Sequence, residues 1–67
     1  MSWLELVQQE LIQARQELAS AEDGLKSGTP AAHNRYLRAL HEAELAEHRA
    51  EQASRRSWRQ ELEAQSA

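Results

Sequence analysis

Cysteine is absent from this chain of 67 residues. That excludes disulfide staples, thiolate zinc sites and a thiol nucleophile, and it fits a reducing compartment. Phenylalanine is also absent, and valine and isoleucine occur once each. Pleated strands select β-branched and aromatic residues, so this scarcity argues against a sheet. One proline and two glycines leave few points at which a helix would break. Neither sign of charge dominates: eight basic and eleven acidic residues are interspersed to a net charge of −3, which argues against a chain that works by coating nucleic acid. The opening M-S-W-L-E-L-V-Q-Q-E has neither a basic leader nor a long apolar core. No signal peptide or membrane span is expected, and the expected location is the cytoplasm.

What remains is rich in alanine, glutamate, glutamine, leucine and arginine, the residues of helices, so the expected fold class is all-α. A lone core of this size supplies only a few kcal/mol, and without disulfides or a metal the usual support is a second copy. Leu4, Val7, Leu11, Ala14, Leu18, Ala21 and Leu25 recur at alternating spacings of three and four, which is one seam of a helix over about 3–25. Ser2 is placed to cap it, with Glu5 three residues on.

The stretch K-S-G-T-P, Lys26 to Pro30, stops one helix and starts another. Gly24 and Gly28 can each take the left-handed conformation that ends helices, and Thr29 followed by Pro30 reads as N-cap and first helical residue. A turn of about 26–29 folds a second helix, about 30–64, back antiparallel. Its seam is Ala32, Tyr36, Ala39, Ala43, Ala46, Ala50, Ala53 and Ser57. Leu25 then faces Ala32, Leu18 faces Ala39, Leu11 faces Ala46 and Leu4 faces Ala53, large against small, which allows close helix approach.

The second helix outruns the first, so Arg55 to Leu62 is expected to lack an intramolecular partner although it carries Trp58 and Leu62. A second register, Leu37, His41, Glu44, His48, Glu51, Arg55, Trp58 and Leu62, lies about 120° around the helix from the alanine seam. Crossed antiparallel with a second copy it maps onto itself. Leu37 meets Leu62, His41 meets Trp58, Glu44 meets Arg55 and His48 meets Glu51. Self-complementarity is what a two-fold interface requires, so the expected assembly is a homodimer in the form of a four-helix bundle. The competing reading is a solvated face with pairs inside one helix, such as Glu51 with Arg55. Leu6, Ile12 and Trp3, off the leucine seam of the first helix, could complete the bundle instead or form a different dimer face.

No catalytic constellation is present. The run His41 to His48, H-E-A-E-L-A-E-H, fails the zinc-protease pattern H-E-x-x-H because position 45 is leucine. No serine sits in a glycine-rich elbow, and two helices enclose no substrate pocket. The expectation is no enzyme, no metal and no cofactor. Trp, Tyr and Arg are the residue types of binding hot spots, and they gather as Arg55, Arg56, Trp58 and Arg59 at one end and as Arg35, Tyr36 and Arg38 at the other. Of these, the arginines and Trp58 are candidates for binding a partner, while Tyr36 belongs to the seam.

The helix–turn–helix layout with large-against-small packing resembles Rop-type helical hairpins, plasmid-encoded RNA-binding regulators that pair into four-helix bundles. In size and build the chain also looks like compact host-takeover proteins of temperate bacteriophages, some of which are helical dimers that antagonise quorum-sensing regulators or pilus motors. The hot-spot residues and the second resemblance imply a non-enzymatic regulator or inhibitor that masks a surface of a larger host protein, whereas the first resemblance implies RNA binding. RNA binding and a structural adaptor role are the alternatives. The acidic rows Glu10 and Glu17, or Glu42, Glu47 and Glu51, would suit a basic partner surface.

Overall fold

The computed structural model describes residues 2–66, with the side chains of all but Ser57, Glu61, Gln65 and Ser66. The chain is an antiparallel helical hairpin. Helix α1 runs Trp3–Gly24, a single 3-10 turn covers Leu25–Ser27, and helix α2 runs Pro30–Ser66. There is no strand among the described residues.

Both helix starts are closed by side-chain oxygens. The Glu5 amide donates to Ser2 Oγ at 3.1 Å, and the Ala32 amide donates to Thr29 Oγ1 at 3.1 Å. Each satisfies one of the amides that a helix leaves without a carbonyl in its first turn. The reversal differs from expectation at one glycine. Gly24 is right-handed and helical, with φ −62°, whereas Gly28 takes the left-handed conformation at φ 69°. The helix tightens through Leu25–Ser27 before it reverses, so only the residue after that turn needs a positive φ. Gly28 donates its amide to the Leu25 carbonyl at 3.0 Å, and Ser27 Oγ donates to the Gly24 carbonyl at 2.9 Å.

The core is thin. Val7, Ala21, Ala39, Ala43, Ala46 and Ala53 are the buried apolar residues among those described, and Val7 is the largest side chain fully enclosed. Leu4, Leu11, Leu18 and Leu25 are only half-buried, as are Tyr36 and Leu40. A pair of helices meets along one line, so each seam leucine is covered in front by a small residue and left open at its flank. Ser57, the last expected member of the small-residue seam, lies outside the residues whose side chains are described.

The shape is a rod of 58 × 17 × 11 Å. Its radius of gyration is 16.3 Å, against about 11 Å for a compact chain of this length. Helix α2 has 37 residues and α1 has 22. At 1.5 Å per residue α2 therefore outruns α1 by roughly 20 Å. No described helix is long and apolar enough to cross a membrane.

Candidate functional site

Two edges flank the line where the helices meet, and they differ in chemistry. On α1, Trp3, Glu10 and Glu17 fall seven residues apart and share one edge. On α2, Arg35, Glu42, Arg49 and Arg56 repeat in the same way. The antiparallel fold sets these rows against each other. Arg35 Nε donates to Glu17 Oε1 at 2.9 Å, and its Nη2 donates to Ser20 Oγ at 3.0 Å. A second, longer contact lies beyond Glu42 in the row: Arg49 Nη1 is 3.9 Å from Glu10 Oε2. Trp3, seven residues before Glu10, lines a common cleft with Arg56.

The Arg35 hydrogen bond, and then its charge, lower the Glu17 pKa below the ordinary carboxylate value; the same two causes in reverse raise that of Arg35. Both groups are exposed, so this is a solvated pair that favours the register more than it stabilises the fold.

The other edge carries the half-buried Leu11, Leu18 and Leu40, with one ion pair between the helices, Arg15 Nη2 to Glu47 Oε1 at 3.4 Å. Arg15 is four residues from Leu11 and three from Leu18, so it shares their side of α1.

Along the outer side of α2, Leu37, Trp58 and Leu62 are 48%, 63% and 52% exposed. Trp58 and Leu62 line a shallow groove with Glu51, Ser54, Arg55 and Arg59. The polar members between these apolar ends have contacts within the helix. Arg55 Nη2 donates to Glu51 Oε1 at 2.6 Å, and the His48 ring shares a hydrogen bond of 3.2 Å with the Gln52 amide nitrogen. His41 and Glu44 are exposed. Leu37 and Leu62 are separated along α2 by about 37 Å at 1.5 Å per residue, so a single helix cannot bring them together.

No family model, curated protein or solved structure matches this chain. The likeness to Rop-type hairpins therefore rests on layout alone.

The arginines divide by how they are engaged. Arg35 is held by Glu17 and Ser20, Arg49 by Glu10 and Arg55 by Glu51. Arg38, Arg56 and Arg59 form no ion pair among the described residues. Arg38 borders a different hollow near the turn, with Glu17, Arg35 and Glu42. The two arginine groups sit at opposite ends of the rod. Of the acidic rows expected to meet a basic partner, Glu10, Glu17, Glu47 and Glu51 already face arginines of their own protomer.

Trp3, which the sequence offers only to the bundle or to a second dimer face, is not read there as lining a cleft with arginines. It is 59% exposed and, with Ala53 and the arginines of α2, forms a cleft of about 470 Å³ at the open end. The seven-residue rows were visible in the sequence, but their pairing depends on the register of one helix against the other. No group of three or more histidine, aspartate or glutamate side chains is placed to hold a metal ion among the described residues.

Proposed function

We propose that the chain is a non-enzymatic, homodimeric regulator that binds a larger protein and masks part of its surface. The observation that carries this reading is the exposure of Leu37, Trp58 and Leu62 along one side of α2 in a protomer whose buried core is almost wholly alanine. Alanine burial contributes little, on the order of 0.8 kcal/mol per methyl-sized group, so the hairpin gains much by covering its larger apolar side chains elsewhere.

Surface area points the same way. The protomer exposes 5419 Å², against about 4,300 Å² for a compact monomer of its mass. The excess is comparable to the roughly 800 Å² that each partner contributes to a specific interface. Two α2 helices crossing antiparallel would place Leu37 on Leu62 of the second copy and His41 on Trp58, giving a four-helix bundle. Glu51 and Arg55 would exchange partners or stay paired within their helix, at little cost either way because both are exposed.

Sedimentation of the full chain at micromolar concentration tests the assembly. A dimer is expected, and Trp58→Ala with Leu62→Ala weakens it by at least about tenfold, equivalent to about 1.4 kcal/mol. A well-folded monomer at the highest concentration reached would sink the proposal. Capture from bacterial lysate on the immobilised dimer should then recover one partner in stoichiometric amount.

A further inference from the structure

The charge of the chain is unevenly placed. Residues 49–59 hold four arginines and one glutamate, while the remainder holds four basic residues against ten acidic ones. An acidic protein therefore carries a strongly basic segment, which forms the wall of the open-end cleft. Glu17 pairs with Arg35 and Glu10 with Arg49, but Trp3, seven residues before Glu10, offers no acid, and Arg56 and its neighbour Arg59 in the cleft form no ion pair among the described residues.

We propose that this cleft receives a short acidic segment of the partner protein, one carboxylate of which pairs with Arg56. A second carboxylate reaches Arg59, and an adjoining apolar side chain rests on the Trp3 indole and Ala53. The pairing fits the chemistry of the guanidinium, whose planar fork binds carboxylates through two parallel hydrogen bonds. Trp3 adds a large apolar surface at small conformational cost.

A nucleic acid fits less well. Duplex backbones carry a negative charge about every 1.7 Å, and one lying along this 58 Å rod would run from the basic segment onto the acid-rich remainder. A short peptide ends where the arginines end. The cleft shares Arg55 and Arg59 with the groove lined by Trp58 and Leu62, so a dimer formed through the outer side of α2 adjoins each cleft, while Trp3, Arg49 and Arg56 line only the cleft.

This inference rests on reading the chain as a protein-binding regulator, but its test is separate from the sedimentation of the dimer. The probe is a fluorescent pool of short peptides with fixed aspartates and glutamates and varied apolar positions, titrated with the full chain and followed by anisotropy. A matched pool with asparagine and glutamine in place of the acids and a single-stranded RNA of equal length serve as comparators.

The acidic pool is expected to bind at least about tenfold more tightly than either comparator and to weaken as salt rises. Arg56→Gln should weaken that preference without changing helix content or sedimentation, and adding Arg59→Gln, at a residue that also borders the Trp58 groove, should remove it. Trp3→Glu, which supplies the missing acid from within the chain, should abolish peptide binding while leaving thermal stability equal or higher. Equal binding of the amide pool, tighter binding of RNA, or unchanged binding by the double arginine variant would each overturn the proposal. Those results would leave the dimer standing, whereas a monomeric protein that still binds the acidic pool would remove the dimer and keep the cleft.

Discussion

At the turn, the hairpin meets its polar needs from its own residues; at the open end it does not. Around Gly28, amides and hydroxyls are used in succession: Ser27 Oγ to the Gly24 carbonyl, the Gly28 amide to Leu25, the Ala32 amide to Thr29, and the Arg35 guanidinium to Glu17 and Ser20. Around Trp3 and Trp58, large apolar surface and arginines without carboxylates lie exposed at the end of a helix that has outrun its neighbour. Local hydrogen bonds at the turn set the direction of the chain. The side chains at the other end contribute little to that task, so changes there should be read in association and not in stability.

The sharpest break in this contrast is Gly28→Val. A β-branched residue forced to φ 69° is strained whatever space surrounds it, and nothing lies within 4 Å of a Cβ placed there, so the cost is backbone strain alone. A loss of about 1–2 kcal/mol in urea unfolding is expected, with a smaller loss for Gly28→Asn because asparagine tolerates that conformation. Arg56→Gln at the open end should leave the same unfolding curve unmoved. Next in size is Thr29→Ala, which removes the oxygen that accepts the Ala32 amide. It should cost about 1 kcal/mol, and Thr29→Ser should restore most of it. If Arg56→Gln destabilises as much as Thr29→Ala does, the division between the two ends is wrong.

How far the sequence could be read follows the same division. Ser2 and Thr29 were legible as caps because a cap is a local event, decided within three residues of chain. The choice between Gly24 and Gly28 was not, since both tolerate a left-handed backbone and the intervening 3-10 turn decides which one needs it. The leucine seam was legible as a direction but not as a degree of burial. Periodicity identifies the side that faces the partner helix, yet alanine opposite leucine leaves Leu4, Leu11 and Leu18 half open. Trp3 was the hardest to place. Its row with Glu10 and Glu17 acquires meaning only when Arg49 and Arg56 are known to lie across from it, and that register comes from the geometry of the turn.

The smallest expected effect concerns the rung nearest the turn. The Arg35 hydrogen bond and charge hold the Glu17 carboxyl below its ordinary pKa, so the pair contributes stability above the ordinary glutamate value and loses it as pH falls through the lowered one. Arg35 is shifted upward and stays cationic throughout that acid range, so it adds no pH dependence of its own there. Glu17→Gln should therefore separate slightly from the wild-type melting curve at neutral pH and converge with it in acid, and added salt should narrow the gap because the pair is exposed. Arg56→Gln, which removes a cation with no carboxylate partner among the described residues, should track the wild type through the same acid limb. A gap between Glu17→Gln and wild type that persists in acid would mean that Glu17 acts by packing and not by charge, and the contrast between a paired Arg35 near the turn and an unpaired Arg56 at the open end would lose its electrostatic basis.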